Sequence, residues 1–206
     1  MKSAIIALAL FAAAVTAVAQ DRLLPERGVF TQDEGYHIKV RELLAEAFDG
    51  DIVLQAVFLP AFETEAVAGI RKTHDGFEAF ASRPSYRIAE KIGTAQLTKS
   101  APDFHDLTVH TKTRAISAAL TERIRRIWQD MVLNARFPKN PRVGTDGWDV
   151  HFSLWVMGHG FIGAQIWSPG NGKTLALVSL GDVLRGYAEG HVDEKKLAEF
   201  VRPLER

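Results

Sequence analysis

The sequence lacks cysteine altogether among its 206 residues. This absence excludes a disulfide scaffold, a thiol nucleophile and a zinc site with cysteine ligands. It also excludes the lipid-bearing cysteine of a lipoprotein. Exported eukaryotic domains usually depend on disulfides, so a cysteine-free exported chain is more typical of the bacterial periplasm.

An excess of charge of either sign is also missing. The chain has 25 basic and 25 acidic side chains. Without Lys2, which precedes the predicted domain, the formal net charge becomes −1. A balanced charge predicts no nucleic-acid or membrane-surface partner, since both attract strongly basic proteins.

No apolar run is long enough to span a bilayer comfortably. The longest, from Ala4 to Val18, is shorter than the roughly 18–20 residues that a transmembrane helix needs. It follows Lys2 and ends at the small-x-small triplet of residues 17–19, which is typical of a signal-peptide cleavage site. We therefore predict a cleavable signal peptide over residues 1–19 and export to the periplasm, with no membrane span after cleavage. The alternative is an uncleaved N-terminal anchor.

The remaining chain predicts one domain over residues 20–206, with a loose N-terminal arm at 20–32. Helical and strand-like patterns then occur in blocks, which favours α+β over alternating βαβ units. We expect a mostly antiparallel sheet of about five to six strands with helices packed on one face. The predicted order is a helix from about 36, strands near 52–59, 67–81 and 106–113, a helix over 117–134, a hairpin over 148–167, and two helices from about 175 and 193.

The hairpin at 148–167 carries the clearest alternation. A three-residue loop Gly158-His159-Gly160 would pair Val156 with Ile162 and give one fully apolar face. The opposite face then displays large exposed side chains, which form a candidate binding surface. Its members are Trp155, Met157, Phe161 and Trp167.

Two glycine patterns imitate nucleotide-binding motifs. Residues 158–163 spell G-x-G-x-x-G, but strand alternation follows where the dinucleotide fingerprint requires a helix. Residues 170–174 resemble the end of a P-loop, but Trp167 stands where its first glycine belongs. We expect no cofactor. The second turn could still hold a small anion at a helix start.

Catalytic and metal-binding spacings are equally weak. Asp149, His151 and Ser153 have the residue types of a hydrolase triad, yet on one strand they are about 6.5 Å apart rather than in contact. The seven histidines show no metal-ligand spacing, so no metal site is predicted. A cell-envelope hydrolase would have to gather distant residues, with His74, His105, His110 and His151 meeting acidic groups in one pocket.

Positive charge is concentrated in residues 111–142, which hold eight basic and two acidic side chains. Arg123 and Arg126 share one side of the predicted helix, while Arg125 is turned away. They complete the candidate binding surface, because such a patch could meet an acidic protein, lipid head groups or a cell-wall polymer. The alternative is an ordinary solvated helix face.

The hairpin strand His151-Phe152-Ser153 and the segment from Gly163 to Pro169 resemble exported proteins of Gram-negative bacteria with no assigned activity. In those proteins an aromatic-Phe-Ser strand and a Gly-rich turn precede Gly-Gln-Thr-Trp-Ser-Pro. This chain departs from that pattern in having an extra Ala164 and Ile166 for Thr. The resemblance covers about the last 90 residues, implies no site residues, and supports the periplasmic assignment.

These observations favour a non-enzymatic periplasmic binding or accessory protein, with a periplasmic protein or an anionic envelope component as partner. Two alternatives stay open. One is the cell-envelope hydrolase using dispersed histidines and acidic residues. The other is an inhibitor or immunity-type protein that blocks a toxin with an exposed loop.

Overall fold

The computed structural model describes residues 22–26, 30, 35–137, 147–170 and 172–205. The predicted signal peptide lies outside these residues. Their strands and α-helices, in chain order, are β1 (Leu24–Glu26), α1 (Gly35–Leu43), β2 (Asp51–Pro60), β3 (Ala66–Thr73), β4 (Gly76–Pro84), α2 (Ile88–Thr98), β5 (Val109–Ile116), α3 (Ala118–Leu133), β6 (Trp148–Val156), β7 (Gly160–Trp167), α4 (Gly172–Ala188) and α5 (Glu194–Val201). Two short 3-10 helices, Ala45–Ala47 and Arg202–Glu205, follow α1 and α5.

The strands form one antiparallel sheet in the order β1-β7-β6-β2-β3-β4-β5. The α+β class with a mostly antiparallel sheet is thus confirmed, but the sheet has seven strands rather than five to six. The additional strand is β1, which pairs with β7 inside the stretch predicted to be a loose arm. Three residues centred on Pro25 are too short to show an alternating pattern, and proline is tolerated at a sheet edge.

Helices cover both faces of the sheet, so the prediction of helices on one face is wrong. Helices α3, α4 and α5 pack on the face that includes Phe152 and Leu154. Helices α1 and α2 and the first 3-10 helix pack on the opposite face, against Val57 and Phe80. Strand β2 is apolar at nearly every position because both of its faces are buried. None of the described helices is long and apolar enough to cross a lipid bilayer.

The β6–β7 hairpin differs from its predicted register by two residues. Val156 pairs with Gly160 and Leu154 with Ile162, so the three-residue loop is Met157 to His159. Gly158 and Gly160 have φ angles of +81° and +74°, which glycine adopts without steric cost. A shift of two residues keeps every side chain on its predicted face, because side chains alternate between the faces every second residue. The alternation in the sequence is therefore equally compatible with both registers.

Candidate functional site

Three of the predicted surface residues line one groove at the tip of the β6–β7 hairpin. Trp155 lies opposite Phe161 in the register, and Met157 follows in the loop. Their exposed fractions are 46%, 37% and 82%, respectively. The groove has a volume of about 590 Å³ and continues along the start of β2, residues 50–53. We call it the hairpin-tip groove.

Two cations complete the wall of the hairpin-tip groove. Lys72 comes from the end of β3, where it pairs in register with Asp51. Arg125 reaches the groove from α3. Glu122 and Gln129 hold the Arg125 guanidinium, which donates to their side-chain oxygens over 2.8 Å and 2.7 Å. The groove can therefore accept an apolar group, with Lys72 as the cation available to a negative charge beside it.

Sequence reasoning did not assign Arg125 or Lys72 to this surface. The helical pattern placed Arg125 away from Arg123 and Arg126, which agrees with their separate positions in the structure. What that side of α3 meets depends on how the helix packs against the sheet. No spacing in the sequence carries this information.

Trp167 belongs to the predicted surface but not to the hairpin-tip groove. It lies on the same sheet face as Phe161, six residues further along β7, and therefore about 20 Å away. There it pairs in register with Asp149. Its ring covers Gly147, because a Cβ atom placed on that glycine would lie 2.5 Å from the Trp167 Nε1 atom.

Arg123 and Arg126 line a different cavity of about 420 Å³, between α3 and the C-terminal 3-10 helix. Each already has an acidic partner. Arg123 Nε lies 2.6 Å from a carboxylate oxygen of Glu205, and Arg126 Nε lies 3.0 Å from one of Glu122. These guanidinium groups lower the pKa of Glu205, and hydrogen bonds from Arg125 and Arg126 lower that of Glu122 to about 2. The pairing supports a solvated helix face over an anion-binding patch.

A buried pair of ionisable side chains lies on the face covered by α1. The His151 Nδ1 atom is 3.1 Å from the Glu26 Oε2 atom, and only 3% and 4% of these side chains are exposed. Glu26 pairs in register with Gly163 of β7, which in turn pairs with Ser153 of β6. Because Gly163 has no side chain, the Glu26 carboxylate can reach over β7 to His151.

The same register extends this pair into a row of polar side chains. Ser153 pairs with Gln55 of β2, and both are buried. We call Glu26, His151, Ser153 and Gln55 the buried polar row. Each has one atom without a hydrogen-bond partner among the described residues: Glu26 Oε1, His151 Nε2, Ser153 Oγ and Gln55 Oε1. Such atoms are rare in protein interiors and point to an ordered water or to a functional role.

Aromatic rings enclose the buried polar row at His151. Phe30 meets the imidazole edge to face, with ring centroids 4.9 Å apart, and His37 of α1 does so at 5.4 Å. Carboxylate and imidazole together are the orienting pair of many general bases. Here they are sealed from solvent, and Asp149 of the rejected triad lies opposite Trp167 instead.

The histidines of the hydrolase hypothesis do not gather in one pocket. His74 and His105 are exposed and contact the adjacent acids Asp75 and Asp103, each over 2.8 Å. His110 lies on the edge strand β5, and His151 is buried in β6. Among the described residues, no group of three histidine or acidic side chains is spaced to hold a metal ion.

Glu26 is the site residue that sequence reasoning missed entirely. It lies in the predicted loose arm, 125 positions from His151. A single glutamate beside a proline carries no pattern that links it to a distant strand.

Comparisons with protein-family models, with curated proteins and with solved structures find no match to this chain. The resemblance of its hairpin to exported Gram-negative proteins therefore stays a prediction.

Proposed function

We propose that this chain is an exported periplasmic binding protein without catalytic activity, and that a partner protein docks in the hairpin-tip groove. The observation that carries the proposal is the exposure of Trp155, Met157 and Phe161 in one groove. Isolated apolar side chains are common on protein surfaces, but contiguous ones mark interaction sites.

The composition of the groove favours a protein as its ligand. Aromatic residues, methionine and arginine are enriched at the centres of protein–protein interfaces. Tryptophan and arginine are also frequent among the few side chains that supply most of the binding energy. The groove combines Trp155, Phe161 and Met157 with Arg125.

The charges of the groove define the chemistry of the partner. Arg125 on its wall is already paired with Glu122, whereas Lys72 has no ion pair among the described residues. An exposed cation favours a nearby carboxylate and speeds association with an acidic surface. The partner segment should therefore carry a bulky apolar side chain for Trp155 and Phe161, with an acidic residue beside it.

Site-specific photo-crosslinking in cells tests this docking surface. The full chain would carry a photoreactive amino acid at position 155 or 161, and at position 97 as a control. Leu97 is 87% exposed on α2, away from the groove. We expect one partner to crosslink at 155 and 161 but not at 97. Equal crosslinking at all three positions would contradict the proposal.

Affinity for the purified partner provides the second measurement. We expect Trp155→Ala to weaken binding at least tenfold, as loss of a central aromatic side chain does at other interfaces. Lys72→Glu should slow association, most strongly at low salt. Leu97→Ala should leave both quantities unchanged. Unaltered affinity in Trp155→Ala would exclude the groove as the docking site.

Export is tested separately. Periplasmic extract should contain a chain that begins at Gln20, as measured by mass spectrometry of the intact protein. Recovery of the unprocessed chain in the cytoplasm would remove the periplasmic part of the proposal.

A further inference from the structure

A third cavity lies at the other end of β2 and β6 from the hairpin-tip groove. Its volume is about 530 Å³, within the range of small-molecule sites. The side chains that matter for its chemistry are Phe58, Phe62, Glu63, Trp148, Asp182 and Arg185. We call it the Asp182 cavity.

Aromatic rings from three positions face the Asp182 cavity. Phe58 comes from β2, Trp148 opens β6, and Phe62 lies in the loop after β2 with 80% of its surface exposed. The Phe58 ring already receives a cation, because the Arg185 guanidinium lies 5.5 Å from its centroid. The exposed Phe62 ring and the partly buried Trp148 ring offer further π surface to a ligand.

Among the described residues that line the cavity, the charged side chains do not balance. Asp182 and Glu63 oppose one cation in this described lining, Arg185, whose Nη2 atom lies 3.0 Å from Asp182 Oδ1. Partial burial raises the pKa of Asp182, and the charge of Glu63 adds to this effect while Arg185 opposes it. A second cation in the cavity would compensate the remaining negative charge.

We propose that the Asp182 cavity binds a small organic cation, an amine or a quaternary ammonium. Its charge would lie beside Asp182 and Glu63, and its alkyl groups would contact Phe62 and Trp148. Ammonium groups bind well where aromatic faces and carboxylates meet. This site is independent of the hairpin-tip groove and of any protein partner.

An organic cation fits this cavity better than a neutral or negative ligand of the same size. A sugar would leave the excess negative charge uncompensated, and an anion would add to it. A bare metal ion prefers several oxygen ligands and gains little from aromatic walls. The combination of net negative charge and apolar surface therefore selects for an alkylated ammonium group.

Calorimetric titration of the mature protein tests the proposal directly. The probes are choline and tetramethylammonium, with glucose and acetate as neutral and anionic comparisons. We expect saturable binding of the two cations and none of the other probes. No saturable binding of either cation, or equal binding of glucose, would overturn the proposal.

Variants with matched controls locate the binding site. Asp182→Asn should weaken choline binding at least tenfold, whereas Glu199→Gln, an exposed carboxylate on α5, should not. Phe62→Ala should weaken it severalfold, whereas Phe137→Ala, also exposed, should not. Choline binding that survives both cavity substitutions would place the cation elsewhere and refute the assignment.

The pKa of Asp182, measured with and without choline, distinguishes direct contact with the ligand from an indirect effect on folding. Only the ionised carboxylate attracts the ligand, so choline should lower the pKa of Asp182 followed by carbon-13 NMR. By the same linkage, affinity should fall as the pH drops through that pKa. An Asp182 pKa unchanged by saturating choline would contradict the proposed contact.

Discussion

Helices cover both faces of the sheet and both faces bury apolar side chains, but among the described residues only one face also buries polar side chains of the strands. Under α3, α4 and α5 the buried residues are almost all apolar, among them Phe152 and Leu154. Under α1, the intervening positions His151 and Ser153 belong to the buried polar row. We refer to these as the apolar face and the polar face.

Adjacent residues of β6 thus lie in different environments, because successive side chains point to opposite faces of the sheet. Burial of apolar area on the apolar face stabilises the fold by about 25 cal/mol per Å². On the polar face, atoms such as Ser153 Oγ and His151 Nε2 lose water without gaining a partner among the described residues, which costs free energy. Depth of burial alone therefore does not measure how much a side chain contributes to stability.

The largest expected effect is on the apolar face. Phe152 is fully buried and meets Trp128 of α3 edge to face, with ring centroids 5.3 Å apart. Phe152→Ala should lower the free energy of unfolding by about 3–5 kcal/mol, because it removes buried area and leaves a cavity. Urea denaturation followed by circular dichroism measures it. A loss below about 1 kcal/mol would break the comparison.

A smaller effect is expected for the pair on the polar face. His151→Leu leaves the Glu26 carboxylate buried without its partner and should cost about 1–3 kcal/mol. Replacing both members, as in Glu26→Met with His151→Leu, should cost less than the sum of the two single changes, because no polar atom is then left unpaired. Additive losses in this double-mutant cycle would show that the contact contributes nothing.

The polar face buries two serines that differ in their hydrogen bonding. The Ser82 hydroxyl has a partner, whereas the Ser153 hydroxyl has none among the described residues. Ser82 Oγ lies 2.9 Å from Thr111 Oγ1, so Ser82→Ala should cost about 1 kcal/mol. Ser153→Ala removes a buried hydroxyl with no partner among the described residues and should leave the free energy of unfolding unchanged or raise it by up to about 1 kcal/mol. A larger loss in Ser153→Ala than in Ser82→Ala would indicate that Ser153 binds an ordered water.

A similarly small effect should come from the exposed ion pairs of Glu122 with Arg125 and Arg126 on the outer side of α3. Hydrogen bonds from Arg125 and Arg126 hold the pKa of Glu122 at about 2, below that of an unfolded chain. The stabilisation is therefore present above about pH 4.3, the usual pKa of glutamate, and is lost as the pH falls toward 2. Solvent screening keeps it below about 1 kcal/mol.

Comparison of the wild type with Glu122→Gln by urea denaturation across this pH range measures the contribution. The two proteins should differ near pH 6 and converge near pH 2, and added salt should reduce the difference. If the difference in stability between the two proteins persists at the lowest pH, packing of the Glu122 side chain rather than its charge is the cause.

Local patterns predicted several elements correctly because local physics produces them. Ser117 caps α3 by accepting a hydrogen bond from the Leu120 amide, and Asp193 caps α5 through the Lys196 amide. The apolar stripe of α3 is buried at Leu120, Ile124 and Trp128, as its spacing predicts. The short strand β1 and helix α2 were not predicted, since neither carries a strong period.

The candidate sites were predictable only in part. Trp155, Met157 and Phe161 were recognised as a surface from strand alternation, which fixes the face of each side chain. Arg125 and Lys72 joined them only through the packing of α3 and β3 around the sheet end. The Asp182 cavity brings α4 against the end of β2 and was not anticipated at all.

The sequence alone determined the alternation of the hairpin strands, the existence of the long helix α3, and the exclusion of every cysteine-based chemistry. Tertiary structure decided the register of β7, the helices on the polar face, and the contact of Glu26 with His151 across Gly163. The physical reason is that these features depend on interactions over different distances along the chain. Residue periodicity fixes which way a side chain points, whereas its partner is chosen by packing between segments far apart in the chain.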